Sequence, residues 1–368
     1  MRLFTPFYMN DWNFQDPRRN RDIEKVKGVS NQRKLARIAT RAPDDGYRTE
    51  AAAKLDDAAL LERIALGDRR KFVRASAVKR LAALGAEETL ARIALRGDGP
   101  RDFSDTAGEA ANAMSDKERL AEIARSAPLA DARRYAVAKL DDPEALRAAA
   151  SDENEHVRAA ALRRIDDPSV LARAALSGKG YSVDRMAAIR NPHLKDPSVL
   201  AEIAIHAEEP LMMKSAIEGG RITDPEALKR VALESASPWI RADAISQIED
   251  VGILSQIASA ERTAPDMYPS PMEFSRNVPA WAAALRLSRI APELAVEPLV
   301  KLMLKDRDVD LDKDWRREAI RFLIDRYTQS ASDDIRDRIR ALPNGLYGYS
   351  SGEDCSHCDS FVHFDLPR

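Results

Sequence analysis

Cysteine is almost absent: the chain carries two, Cys355 and Cys358, both close to its C-terminal end. No disulfide framework can therefore staple the body of the protein, and such usage fits a reducing cytoplasm. Long apolar runs are missing too. Nothing approaches the ~18 consecutive apolar residues of a membrane-spanning helix. The opening MRLFTPFYMNDWNFQD has no signal-peptide core either, so the sequence reads as soluble, unexported and without a membrane partner. Glycine-rich phosphate loops of the Walker or dinucleotide type do not occur. Neither sign of charge dominates. The 58 Lys+Arg against 60 Asp+Glu give a net charge of -2, which leaves no large positive excess for phosphate backbones and disfavours nucleic acid as the partner. No segment alternates apolar and polar residues over several positions, so strands are not expected.

What is present is repetition. At 368 residues the chain exceeds one ordinary domain, and it holds either two or three domains or one architecture that grows by repeats. Hydrophobic residues at 44% can bury a core if they fall in register. They do. The string L-x-x-[IVA]-A begins at Leu35, Leu61, Leu90, Leu120, Leu146, Leu171, Leu200, Leu228 and Leu254, at steps of 25 to 30 residues. Between the copies lies a second pattern, seen in HVRAAALRRIDD, FVRASAVKRLAA and WIRADAISQIED. Its apolar or Ala positions fall three or four apart and make one helical stripe. Each repeat is thus two short helices, A (LARIA-type) and B (VRAAA-type). Isolated helices below about 12–15 residues are marginal in water, so stacking on neighbours must supply the stability.

Helix A starts are written by Asp142-Pro143, Asp167-Pro168, Asp196-Pro197 and Asp224-Pro225. Asp at the N-cap accepts from an orphan amide, and Pro at the first helical position has no amide to lose. Ser115 and Glu118 form a capping-box pattern ahead of Leu120. Gly219-Gly220 is expected to interrupt its B helix and mark a bend.

The run from Asp152 to Ala160, DENEHVRAA, together with the L-x-x-I-A helices, resembles HEAT-type repeats. The likeness is to the short bacterial variants akin to variant leucine-rich repeats and phycobilin-lyase-type HEAT modules. It covers Arg33 to Ala258 well and Trp281 to Ile339 loosely, with modules shorter than the ~40 residues usual for HEAT repeats. The resemblance implies an all-α fold, a right-handed α-solenoid of about ten modules that offers an extended binding surface. It implies no particular activity.

Two rows follow from the register. Seven residues before the last apolar residue of helix B stand Arg48, Arg74, Arg133, Arg158, Arg241 and Arg316. A cation in a first turn opposes the helix dipole, so these are expected to form a structural ladder onto carboxylates and loop carbonyls across repeats. One residue before the same anchor stand Lys54, Arg80, Lys139, Arg164, Arg221 and Arg289. Stacked, these could make a basic binding track for an acidic peptide or a nucleic-acid backbone; the alternative is cations that favour helix C-termini and are neutralised by the neighbouring Asp-Asp pairs. Phe72, Trp239 and Trp281, with Trp315 nearby, mark the start of helix B, where core or rim packing is the default and base stacking, as in HEAT-like DNA glycosylases, the rival.

The pattern fails after Ala258. ERTAPDMYPSPMEFSRNVP inserts four prolines and carries Met267, Tyr268, Met272 and Phe274, which suit either a binding loop or a loop folded over the groove. The alternating acids from Asp306 to Asp314 lack the Gly and Glu of an EF-hand loop, so a solvated linker is preferred to calcium. In the acidic tail, Cys355, Cys358, His363 and His357 or Asp359 could just assemble a zinc site, against a disordered tail. Gly348 to Gly352 matches G-x-S-x-G, without the strand and helix a nucleophile elbow requires.

The sequence therefore divides into a cap segment (1–29), regular repeats (30–260), an inserted loop (261–279), divergent repeats (280–342) and a non-helical Cys/His tail (343–368). The expected function is a non-catalytic scaffold or adaptor for a protein partner, without a cofactor unless zinc binds the tail. The alternatives are a HEAT-like nucleic-acid enzyme such as a DNA glycosylase, or a metal-binding protein.

Overall fold

The computed structural model describes residues 24–99, 103–178, 180–259, 278–305, 313–329 and 333–340; within these helices the side chains at 278, 305, 313–317, 327 and 340 are left aside. Among the described residues every regular element is a helix. None of these helices is long and apolar enough to cross a membrane. The chain falls into two compact units, Met1–Asp166 and Asp167–Arg368.

The first unit holds α1 (Gln32–Arg41), α2 (Asp45–Ala52), α3 (Ala58–Gly67), α4 (Lys71–Ala83), α5 (Glu87–Ala94), α6 (Phe103–Ala113), α7 (Lys117–Ser126), α8 (Ala130–Val137), α9 (Pro143–Ala149) and α10 (Glu155–Leu162). The second holds α11 (Pro168–Leu176), α12 (Val183–Arg190), α13 (Pro197–His206), α14 (Pro210–Ile217), α15 (Pro225–Glu234), α16 (Pro238–Gln247), α17 (Val251–Ser259), α18 (Val278–Ile290), α19 (Pro292–Lys305), α20 (Lys313–Gln329) and α21 (Asp333–Arg340). Helix α18 begins at Val278, so Pro279 sits in its first turn and not in the loop before it. Such a position tolerates proline because its amide would have no helical partner.

Through α17, odd-numbered helices carry the LARIA pattern and even-numbered ones the VRAAA pattern. Within each unit a helix contacts its pair partner and the equivalent helices of the flanking pairs: α3 touches α4, α1 and α5, while α4 touches α3, α2 and α6. The second unit repeats this with α13 on α14, α11 and α15, and α14 on α13, α12 and α16. The Leu, Ile and Ala of each LARIA string supply the A side of the core; Leu61, Ile64, Ala65, Leu90, Ile93, Ala94, Leu120, Ile123 and Ala124 are all buried. The B side is lined by small residues, including Ala77, Ala107, Ala111, Ala136 and Ala159, which let helix axes approach closely. At Gly108 a Cβ would lie 2.9 Å from the Tyr135 ring, so α6 rests on α8 at a distance that only glycine accommodates without a shift.

Caps set the boundaries. Asp142, Asp167, Asp196 and Asp224 each accept from an amide in the first turn of the Pro-led helix that follows. Ahead of α7 the cap is Asp116, which accepts from the Glu118 and Arg119 amides. This replaces the Ser115–Glu118 box expected from the sequence; the Ser115 amide instead donates to the Glu87 carboxylate of the preceding repeat at 3.0 Å. Gly219 and Gly220 do not interrupt α14. They follow its end at Ile217 with φ of 74° and 70°, a left-handed turn that L-residues adopt only with strain.

Because no pair can bury its apolar stripe alone, a core truncation should weaken a whole neighbourhood. Leu120→Ala, in the fully buried centre of α7, is expected to lower unfolding free energy by about 2–5 kcal/mol, read by urea denaturation followed by circular dichroism.

Candidate functional site

The B helices carry three rows of side chains, and the geometry gives each row a different use. The first is the arginine in the opening turn. Arg48 donates to both oxygens of Asp68 (2.8 and 3.2 Å) and to the carbonyls of Ala42 and Pro43 (2.9 and 3.2 Å). Arg133 repeats that arrangement on Asp152 (2.8 and 2.9 Å), Ala127 and Pro128 (2.9 and 3.2 Å), and adds Glu153 at 3.1 Å. Arg158 donates to the Asp152 and Glu153 carbonyls, Arg241 to the Ser235 carbonyl, and Arg74 to the Asp68 carbonyl and the Thr106 hydroxyl. In each case the carbonyl lies five or six residues back, in the loop that leaves helix A.

Those carbonyls follow a helix C-terminus and have no helical donor. Supplying them with a charged donor outweighs the few tenths of a kcal/mol that a first-turn cation costs against the dipole. Arg74 and Arg241 are completely buried. Sequence register overlooked Arg185, which donates to the Ala175 and Gly180 carbonyls. Arg185 lies nine residues before Leu194, where Arg48 and Arg133 lie seven before Leu55 and Leu140, and the two extra residues shift the count. An alignment on the Ala-Ala pair of helix B would have recovered it.

The second row is the one expected to form a basic track. Lys54 donates to the Lys27 and Val29 carbonyls, and Lys139 to those of Asn112 and Met114. Arg80 binds the Leu55 carbonyl at 2.7 Å and pairs with Asp56; Arg164 binds the Leu140 carbonyl at 2.8 Å and pairs with Asp141. Arg221 spreads over the carbonyls of Ile189, Asn191, Leu194 and Ser215. Arg289 pairs with Glu318 at 2.7 Å. Gln247, a gap in the row by residue type, donates to the Ile217 carbonyl at 3.3 Å. The cations of the expected binding track are thus engaged within their own chain. With the exception of Arg289, whose partner is a carboxylate further along the chain, these cations reach back about one repeat and cap the end of the previous B helix.

The third row is the second position of helix B. Phe72 and Trp239 occupy it and are 66% and 79% exposed, which overturns the expectation that both pack in the core or rim. Trp281, which shares their sequence register but is the fourth residue of α18, is fully buried. Lys71 Nζ lies 5.4 Å from the centre of the Phe72 ring, a cation–π distance. Leu211, 48% exposed, stands where Trp239 does, since Pro210 and Pro238 open α14 and α16 alike. Tyr181, 53% exposed, lies in the loop before α12. Leu211 escaped notice because Met213 replaces the arginine that marks the register; the shared proline was the available signal.

Met267, Tyr268, Met272 and Phe274, the acids from Asp306 to Asp312, and Cys355, His357, Cys358 and His363 lie outside the described residues, as do the side chains of Trp315 and Arg316. Among the described residues no group of three or more His, Cys, Asp or Glu is placed to hold a metal ion. No protein-family model matches the chain, and a search of curated proteins gives no match.

Electrostatics makes the first row testable. Burial alone would raise the Asp152 pKa, but the Arg133 hydrogen bond, the Asn154 amide and the charges of Arg133 and Arg158 outweigh it and hold the carboxyl below its usual 3.8. A folded pKa below the unfolded one contributes stability that is complete above the unfolded value and is lost as pH falls through the folded value. Arg133→Ala leaves Asp152 enclosed without its main partner and is expected to cost about 3–5 kcal/mol at neutral pH. It should also flatten the stability profile below the usual carboxylate pKa, measured by urea denaturation across a pH series.

Proposed function

We propose that the chain is an α-solenoid of HEAT-like helix pairs that acts as a non-catalytic scaffold, holding another protein against the helix-start edge of its B helices. The observation that carries this reading is the exposure of Trp239 at 79% and Phe72 at 66% in the same position of the repeat, each in its own unit. Helix-start aromatics that staple a loop are covered by it; an indole with most of its surface in water contributes little to the fold, and Trp is among the side chains enriched at the energetic centre of protein interfaces.

In the second unit Leu211 and Trp239 begin successive B helices, each immediately after a proline that fixes the backbone. Side chains on so rigid a base lose little freedom on binding, and this favours affinity. A protein partner fits better than nucleic acid because the second-row cations already hold carbonyls and carboxylates of their own chain and the net charge is -2. Mechanistically the repeats present contact residues at fixed spacing, and binding sums over several of them.

The test is affinity purification of the full chain from its native cell beside the double variant Leu211→Ser/Trp239→Ser. Helicity should be unchanged, and the proteins retained by the parent should fall about tenfold or more, the effect of losing roughly 1.4 kcal/mol of contact. An identical retained set, or retention of nucleic acid alone, would contradict the proposal.

A further inference from the structure

The arginines of the second row do not all meet the same neighbour. Arg80 binds the Leu55 carbonyl and the carboxylate of the next residue, Asp56. Arg164 does the same with Leu140 and Asp141. Arg221 binds the Leu194 carbonyl at 2.9 Å, but the next residue is Lys195. The carboxylate that neutralises Arg80 and Arg164 is replaced by a second cation.

Around this point the surface opens into a cavity of about 700 Å³ whose charged and polar lining is Arg190, Lys195, Ser215, Glu218 and Arg221. Three cations against one carboxylate leave two positive charges uncompensated. Among the described residues no carboxylate forms an ion pair with Arg190, Lys195 or Arg221, and Glu218 itself is in ion-pair contact with none of them. Arg221 spends its terminal nitrogens on four backbone carbonyls, which offsets the negative ends of α12 and α14. Its burial lowers its pKa, so a further positive neighbour is costly unless an anion joins it. Among the described residues Arg190 makes one side-chain hydrogen bond, from Nε to the Ser215 hydroxyl at 3.4 Å, so toward these residues its terminal nitrogens remain available as donors, as does the Lys195 ammonium.

We infer that this cavity is a binding site for a dianionic oxyanion of the phosphate class, held between Arg190 and Lys195 with the Ser215 hydroxyl as an additional donor. A phosphate or phosphate monoester carries about -1.5 to -2 at neutral pH, the charge that the lining lacks, and accepts charge-assisted bonds from guanidinium and ammonium donors. A single carboxylate would leave one of the two cations unmatched. The site lies at the other end of the B helices from the exposed aromatic row, and the inference does not depend on the scaffold reading.

The test is isothermal titration calorimetry of the full chain with inorganic phosphate and, separately, with free phosphoserine, at ionic strength fixed by chloride. Saturable heat with both anions upholds the site and opens it to an esterified phosphate; saturable heat with inorganic phosphate alone upholds it for the free anion. Lys195→Asp places at this position the residue type of Asp56 and Asp141, and should keep the circular dichroism spectrum while weakening phosphate about tenfold or more. Should that variant fail to fold, Lys195→Gln is expected to show a smaller loss in the same direction. No saturable heat with either anion, or unchanged affinity in a folded variant, overturns the inference.

Discussion

Short helices leave a large share of their backbone carbonyls without partners, and the structure rests on how those carbonyls are answered. A helix of eight residues such as α2, α8, α10 or α14 has as many terminal groups as interior ones, because about four carbonyls at each C-terminus are orphaned. Here one set is met by the first-turn arginine, which folds back on its own A–B loop. Another is met by a lysine, arginine or glutamine that reaches back to the preceding B helix. Apolar stacking of Leu, Ile and Ala supplies the drive to associate; the side-chain donors fix the register in which association is satisfied, since a slip by one helical turn would strand both cation and carbonyl.

Much of this was legible in the sequence because it recurs. The L-x-x-[IVA]-A string locates every A helix through α17, and Asp-Pro locates four of their starts to the residue. Less legible was anything that depended on what a side chain touches. The spacing aligns Lys139 and Arg164 without revealing that each holds carbonyls at the end of the preceding B helix. Asp116 took over from Ser115 because two neighbouring residues can each cap, and the choice falls to whichever backbone is extended at that point. Trp239 and Trp281 share a sequence register and differ completely in burial, since one is the second residue of its helix and the other the fourth, on a different face. Leu211 and Arg185 were hidden by one substitution and two extra residues that broke the alignment.

The same economy separates structure from function. Where a row is filled by the same interaction in repeat after repeat, its residues are explained by the fold. What stands out is what the pattern does not account for: aromatic side chains left in water at a position where His156 and Asp131 serve elsewhere, and a lysine in place of an aspartate beside Arg221. Local departures of this kind from a self-consistent pattern are where function is expected to reside.

Side chains of one repeat hold the helix end of the repeat before it, and native-state hydrogen exchange reads that directly. In Lys139→Met, the opening free energy of amides in the last turn of α6 should fall by about 1 kcal/mol, the worth of a typical net hydrogen bond, while α8, which Lys139 itself follows, keeps its protection. Loss confined to α8, or no loss in α6, would contradict it.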